Sequence, residues 1–550
     1  MATKIYNVYD LQNIKNDLSG DYELANDIDA SVTQSWNGGL GFEPLGSGNE
    51  VVVNRLPISD IESSGPWNVY PGGSKYEQVD DGVGISDDDS TYIESNQVNA
   101  YVIFGIDGLN IPTDSQNINV RLYYRCKRTA SYPEFAPMLR IGGSNYTIDD
   151  ETSFPSSWGW CYGWIDNPVD PEGEWKPADL ANLHGIGAKI TYNSGSGYGR
   201  FSTIYLVVTY RRLFAGNFDG KGHSISNLFI NRPTQDYVGL FGYTGASDNQ
   251  GIRNVKLINA NVTGNTVVAS LAGLTTHAIE NCSSSGTVAG KGAVGGLIGT
   301  NSSAANMKCC FSTCIVNGID SGYSAGGLCA QSLCGIEKCF TSGEVNAPAF
   351  NQVGGLIGSA GLYSYRQIKD SYAASKVTGN SRVGGLIGSF NEKCDYEQAV
   401  INCYSVGKVL GNTYVGGLIG YRYDYPPKGT VTSCFWDIET SGQTTSDGGT
   451  GKTTAQLKAR STFTSAGWDI AATNTSRNDG YPFLAWELGK SGTWLIYEYT
   501  PPPLSPRNQR PVQDKVTLEA IRNIEVTAGG RFFIDREGRA VYRSRYARNK

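Results

Sequence analysis

The chain has 550 residues, enough for two to four domains. Glycine is abundant at 69 residues, methionine is nearly absent at 3, and charged residues are 18 %, below the usual quarter. This β- and turn-rich composition excludes a helical bundle and a disordered chain, while a net charge of −7 gives no whole-chain reason to bind nucleic acid.

No apolar run reaches bilayer length, so no membrane insertion is expected. The opening residues, MATKIYNVYDLQNIK, lack a basic segment followed by an apolar stretch, so no signal peptide is read there. The expected setting is a virion (tail) or an extracellular or cell-surface assembly. Asp10–Leu18 places Leu11, Ile14 and Leu18 on one helical face, with Asp10 as N-cap, and reads as a lid over the end of a stack of strands. With the next coil it forms a first segment, 1–48.

Residues 49–212 change texture. Alternating strands such as Asn119–Arg125 and Thr203–Tyr210 lie between loops rich in Pro, Gly and Asp, the pattern of a β-sandwich or jelly roll. One helix is expected at Pro177–Leu183. A domain inserted in a loop has its ends close together, so strands near Trp67 and Tyr210 are expected to be neighbours. Within it, Trp158, Trp160, Tyr162 and Trp164 alternate and share one strand face. Such alternation ordinarily marks a packed interior, which is the first reading; an aromatic platform for sugar rings or a rim for a partner is the second. Trp175, in a loop, is the better single candidate for an exposed contact. Asp80, Asp81 and Asp87–Asp89 have carboxylates for Ca²⁺ but no Ca²⁺ loop register, so no cofactor is expected.

From residue 213 the chain repeats itself. VGLFG at Val238, VASLAG at Val268, VGGLIG at Val294, AGGLCA at Ala325, and VGGLIG at Val353, Val383 and Val415 are spaced 26 to 32 residues apart. A second signal, NCSSSGTV at Asn281 through NCYSVGKV at Asn402, keeps pace. Short strands and Gly turns at this period mean a solenoid, and the fold class is all-β: a right-handed parallel β-helix over 213–440 with the inserted sandwich. Val, Leu and Ile supply the inner wall, and the paired glycines let adjacent coils approach closely.

VGGLIG followed by NCYSVGKV resembles the GLUG-motif repeats of bacterial, archaeal and phage surface proteins, including adhesins and the non-catalytic part of some immunoglobulin-A proteases. Tyr22–Asp29, Gly41–Gly46, Phe218–Ile225 and Cys434–Asp437 through Asp469 carry the same resemblance, which spans roughly 1–48 and 213–488. It implies the fold and says little about function.

Several motifs point to chemistry and do not hold. GGTGKTT at Gly448 is a phosphate-loop lookalike with Ser446 where the first Gly belongs. His184, His223 and His277 form no zinc motif, so the protease-bearing relatives transfer no metal site. Cys282, Cys310, Cys339, Cys403 and Cys434 share one repeat position, with Ser371 in the remaining copy, and read as a ladder of reduced core thiols. Carboxylates able to cut polysaccharide are Asp219, Glu337, Asp370, Glu392, Asp395, Glu397 and Asp437, with no pair placed by sequence.

Residues 441–490 are expected to close the far end, with Phe463, Trp468, Tyr481, Phe483 and Trp486 as apolar cover. A Pro-rich linker, 491–514, leads to a module over 515–550 in which Gly530–Asp535 and Arg539–Arg543 read as a β-hairpin; residues 507–550 hold 11 Lys/Arg and 5 Asp/Glu, a net +6. The expected function is non-enzymatic surface recognition or adhesion. A β-helix stalk presents a carbohydrate- or receptor-binding sandwich through Trp158, Trp160, Tyr162, Trp164 and Trp175, and the tail engages other virion or surface-assembly proteins. The partner is a cell-surface polysaccharide or receptor, not nucleic acid. A polysaccharide-degrading β-helix enzyme and a purely structural spacer are the rival readings.

Overall fold

The computed structural model describes residues 2–46, 50–84, 90–113, 115–130, 132–148, 151–245, 250–302, 306–362, 366–392, 398–423, 430–498, 531–534 and 540–543. They fall into two compact units, Met1–Ala472 with Ser476–Ile496, and Thr473–Thr475 with Tyr497–Lys550. In the second unit Arg531–Ile534 pairs antiparallel with Ala540–Arg543, the expected hairpin. The Pro501–Pro503 run lies outside the described residues. Trp494 and Leu495, read as linker, instead belong to the first unit, where they pair antiparallel with Leu484 and Phe483.

The first unit contains a β-solenoid. Ten short parallel strands, from Thr3–Ile5 and Tyr22–Leu24 through Phe218–Asp219 to Thr430–Thr432, form one wall. Seven strands from Phe241–Thr244 to Ile419–Arg422 form a second, and six from Val267–Val268 to Thr413–Gly416 a third. Registers are coil-on-coil: Val294 beside Val268 and Ala325, Ile298 beside Ala272 and Cys329. Like residues therefore stack on like, and the inward Val, Leu and Ile merge into one continuous core.

The glycine hexapeptide turns a corner between two walls. Gly295 ends the strand Ala293–Gly295, and Ile298 opens Ile298–Asn301. A Cβ on Gly295 would collide with the Ile298 carbonyl, and one on Gly296 with the Gly327 carbonyl of the next coil. Close approach, not backbone freedom, fixes glycine here. A second corner needs the left-handed conformation. Asn254, Asn281, Cys309, Lys338, Asp370, Asn402 and Ser433 all have φ between 48 and 57°. Asn tolerates that region best, and Asn281 Nδ2 donates to Asn254 Oδ1 of the neighbouring coil (2.7 Å).

The residue after five of these seven corners is a cysteine, with Val255 and Ser371 at the other two, and together they form one wall. Cys282, Cys310, Cys339, Cys403 and Cys434 are buried and unbridged. The wall also bonds. Cys310 N–H donates to Cys339 Sγ (3.4 Å), Cys339 N–H to Ser371 Oγ (3.1 Å) and Cys403 N–H to Cys434 Sγ (3.4 Å). The backbone N–H groups of Cys310, Cys339 and Cys403, each following a left-handed corner, are thus satisfied by a small side chain with a lone pair on the next coil, a role that serine fills at 371.

Residues 50–212 form two six-stranded antiparallel sheets with a core of their own. One runs in the order Ser144–Thr147, Glu134–Ile141, Leu183–Tyr192, Tyr101–Gly105, Ser59–Ser64. In the other, Gly159–Trp164, Ser115–Arg128, Gly199–Arg212, Tyr92–Ser95 and Asn68–Tyr70 follow one another, with Glu50–Arg55 also on Gly199–Arg212. Tyr124, Phe135, Phe154 and Phe201 pack between the sheets with ring centroids 4.8 to 5.7 Å apart. The chain leaves and re-enters the solenoid against one strand: Tyr243 N–H donates to Gly46 O (2.6 Å) and Phe214 N–H to Tyr243 O (3.0 Å). The strand beside Tyr210 is not the one near Trp67. Val51 pairs with Tyr210, while Trp67 packs on Phe201 at 6.3 Å. The expected helix ends at Ala181, and Leu183 already opens a strand.

The ends show three features. The first helix starts earlier, at Val8–Asn13, because Asn7 accepts from Tyr9 N (2.9 Å) and Asp10 N (3.0 Å). Asp10 instead reaches back to Tyr6 N (3.1 Å), while Leu11, Ile14 and Leu18 are buried as expected. The last coil is met by the phosphate-loop lookalike: Ser446 Oγ accepts from Leu418 N (3.1 Å) and Ile419 N (2.8 Å). Third, Phe463, Trp468, Tyr481 and Trp486 cover the flank of the solenoid. They pack on Phe311, Phe340, Tyr372, Tyr404 and Phe435, which follow the wall position and point outward. Phe483 lies apart, in a small core with Ala485 and Leu495. Indole N–H groups tie the segment down, from Trp486 to Lys338 O (3.0 Å) and from Trp468 to Ser433 O (2.9 Å).

Candidate functional site

The aromatic row sits on an edge strand. Among the described residues Gly159–Trp164 pairs only with Ser115–Arg128, and its inward positions are Gly159, Cys161 and Gly163. Cys161 Sγ lies 3.5 Å from buried Cys126 Sγ, so small residues fill the tight side of the strand. The large ones therefore face out: Trp160 is 37 % exposed, Tyr162 61 % and Trp164 54 %, with Trp158 half-buried. The packed-interior reading of this row fails. Alternation reported the strand's two faces correctly, but small residues, not large ones, took the core side.

The partner strand supplies the rest. Trp160 lies opposite Arg125, Tyr162 opposite Tyr123, and Trp164 opposite Arg121. Arg121 lies 3.2 Å from the Trp164 ring centroid, Lys127 4.7 Å from Trp158 and Arg125 5.7 Å from Trp160. Tyr123 is stacked between Tyr162 (5.3 Å) and Tyr205 (4.9 Å). Beyond Trp158 the rings continue inward to the buried Tyr92, which stacks on Tyr70 at 4.7 Å and carries Arg200 at 4.4 Å. Positions 121, 123, 125 and 127 with 158, 160, 162 and 164 hold three cations, five aromatics and no carboxylate. Among the described residues Trp158 Nε1 and Arg121 Nε find no acceptor. The result is a flat amphipathic surface of ring faces edged by positive charge.

At Trp164 the row meets a cavity of about 550 Å³ bordered by Asn117, Asn119, Asp166, Glu172, Glu174 and the Trp175 ring. Trp175 is not the exposed contact expected of it. It is 8 % exposed, and its Nε1–H donates to Ile165 O (2.6 Å), anchoring the loop to the core. The sequence named the four aromatics but missed Arg121, Tyr123, Arg125, Lys127 and Tyr205. Their signal was the alternation inside Asn119–Arg125, with Arg121, Tyr123 and Arg125 at every second residue.

The groove carboxylates are held by structural partners. Asp219 is opposed by burial, but Asn254, Lys221 N–H and Arg253 outweigh it and bring its carboxyl down to about 2. Asp437 caps Ile438–Ser441 and accepts from Tyr481 OH (2.6 Å) and Thr454 Oγ1 (2.8 Å). Asp370 accepts from Asn402 Nδ2 (3.2 Å) and Trp494 Nε1 (3.4 Å), and Glu337 pairs with Lys369 (3.7 Å). Asp395 and Glu397 lie outside the described residues, as do Asp87–Asp89, while Asp81 accepts from Thr203 Oγ1 (3.3 Å). Among the described residues no three His, Cys, Asp or Glu side chains gather as a metal set, and no helix is long and apolar enough to cross a membrane.

No protein-family profile matches the chain. A stretch of 111 residues, 20 % of this chain, is 44 % identical to Halomucin of Haloquadratum walsbyi. The match spans 1 % of Halomucin's length, so it relates a segment, not two whole proteins. Among solved structures, the family 11 carbohydrate-binding module of cellulase Lic26A-Cel5E of Clostridium thermocellum aligns with 30 % of this chain and 92 % of its own, at 14 % identity and a TM-score of 0.16. The Agl-KA catalytic domain aligns with 68 % of this chain and 88 % of its own, at 10 % identity and the same TM-score. Scores that low carry no argument about fold or activity. What is established is an all-β chain built on a β-solenoid repeat.

Proposed function

We propose that this is a non-enzymatic surface-recognition protein whose two antiparallel sheets form a β-sandwich inserted in a right-handed, GLUG-type β-helix. The sandwich grips an anionic polysaccharide of a cell envelope, in a virion tail or a cell-surface assembly. One observation carries the reading: Trp158, Trp160, Tyr162 and Trp164 are displayed outward in register with Arg121, Arg125 and Lys127. Sugar rings offer an apolar face to stack on the aromatics, and carboxylate or sulfate groups on the same polymer meet the flanking cations. The acidic cavity at Asp166, Glu172 and Glu174 repels such groups and sets one end of the footprint. Internally bonded Asp219, Asp370 and Asp437, of which Asp219 and Asp437 are buried, favour binding over cleavage.

The test is retention of the purified chain on anionic and neutral envelope polysaccharides, with the polymer's length followed in parallel. Anionic polymers are expected to be retained unshortened, less so in high salt. The double variant Trp160→Ala/Trp164→Ala is expected to bind at least tenfold more weakly. Shortening of the polymer would refute the non-enzymatic reading, and unchanged retention in the double variant would remove the platform from it.

A further inference from the structure

A second surface, on the flank of the solenoid, has a cavity of about 490 Å³ where residues 477–487 cross the outward aromatic ladder. That volume lies in the range of small-molecule sites. Its apolar corner is rigid. Phe311 and Phe340 stack at 4.8 Å with planes 1° apart, and Trp486 leans on both at 6.2 and 5.9 Å. The Trp486 indole is fixed by its bond to Lys338 O (3.0 Å). Phe311 and Trp486 remain only partly buried, so ring surface is left uncovered.

The other walls are polar. Thr313 and Ser342 lie two residues past Phe311 and Phe340 in adjacent coils, both exposed, so hydroxyls repeat at the coil spacing. Lys256, in the Phe311 column two coils back, and Asn281, at the corner one coil back, border the cavity toward the first coils. Glu487 forms the far side. Its side chain is 6 % exposed, accepting from Leu484 N (2.8 Å) and Tyr372 OH (3.1 Å) and pairing with Arg477 (3.3 Å). Burial pushes its carboxyl above the usual carboxylate range, against those bonds.

Charge decides the ligand class. Arg477 is neutralised by Glu487, and Lys256 Nζ is engaged by Gly222 O (3.0 Å). A phosphate or carboxylate therefore meets no converging pair of cations, in contrast to the platform on the strand Gly159–Trp164. A bare aromatic ligand would leave the hydroxyl row unmatched. We infer that this cavity binds a neutral saccharide unit, with its apolar ring face on Phe311 and Trp486 and its hydroxyls toward Thr313, Ser342 and Asn281. This is a second site, independent of the proposed polysaccharide platform.

Saturation-transfer NMR on the full chain tests it with methyl β-glucopyranoside, methyl β-galactopyranoside and N-acetylglucosamine, set against methyl β-glucuronide. Transfer to the ring-face protons of at least one neutral sugar is expected, at least threefold stronger than to the glucuronide. Thr313→Trp and, separately, Ser342→Trp fill the cavity from its exposed rim, and each is expected to reduce the signal at least tenfold. Trp160→Ala is expected to leave it unchanged, which separates this site from the platform. The inference is overturned by no transfer to any neutral sugar or by equal transfer to the glucuronide. It is equally overturned by a signal that survives both filling variants, or by one lost in Trp160→Ala.

Discussion

On the solenoid flank, Phe311, Phe340, Tyr372, Tyr404 and Phe435 stack one per coil beneath Trp486, Trp494 and Trp468; in the row from Trp158 to Trp164, three of four aromatics stay in solvent. Both are rows of large rings on one face of a strand or ladder. The flank row is covered because the chain after the last coil doubles back and supplies rings of its own. Backbone carbonyls of Lys338 and Ser433 and the Asp370 carboxylate lie where its indole N–H groups need acceptors. The edge-strand row has no such cover, and Arg121, Arg125 and Lys127 lie against its rings instead. An aromatic row is thus core or surface according to what the rest of the chain brings to it.

Truncating each row is the sharpest way to break this contrast. Trp494 is 1 % exposed, and Trp494→Ala is expected to cost about 3–5 kcal/mol in urea unfolding. Trp160→Ala is expected to cost no more than about 1 kcal/mol, and a cost near that of Trp494 would mean that the edge row is core after all.

Acid probes the covered solenoid differently. His277 is fully buried, with Nε2 on Gly216 O (2.9 Å), and burial brings its pKa from 6.5 down to about 4. The unfolded chain takes up that proton first. The contribution is therefore complete above pH 6.5 and is lost as pH falls toward 4, by about 3 kcal/mol. Glu487 works in the opposite sense, since its raised carboxyl favours the fold as pH falls. His277→Gln isolates the histidine: thermal unfolding between pH 7 and 4 is expected to be distinctly flatter than in the parent.

The cysteine wall gives a smaller effect. Cys339→Val removes the acceptor for Cys310 N–H and is expected to cost about 1–3 kcal/mol. Cys339→Ser keeps an acceptor, as Ser371 does, and is expected to cost less than about 1 kcal/mol in the same denaturation assay. Smallest of all in stability is Arg125→Ala on the platform, expected within about 0.5 kcal/mol. Its consequence lies in retention, at least threefold weaker on anionic polysaccharide at low salt.

The repeat was legible because a solenoid writes its geometry once per coil. The spacing of VGGLIG gave the coil, its apolar letters the inner wall, and its glycines the close approach later found at Gly295 and Gly296. The wall cysteines were recognised as reduced thiols, but their role as acceptors was not, since it depends on a left-handed corner one residue earlier. The aromatic row was found and its exposure misjudged, because the choice between Trp160 and Cys161 for the core side rests on Cys126 across the strand. Trp175 went wrong for the same reason: its loop position was visible, but its bond to Ile165 O was not.

The sequence by itself determined the coil period, the strand faces, the reduced thiol wall and the change of texture between 49 and 212. These are local or periodic, set by residue size and backbone preference within one coil of the position concerned. Only the tertiary structure decided which face of Gly159–Trp164 is wet, that the closing segment covers the flank, and that the cavity between Phe311 and Trp486 stays open. Each of these depends on residues more than 30 positions apart meeting in space, as Cys126 meets Cys161 and Lys338 meets Trp486. No pattern within either segment encodes such a meeting.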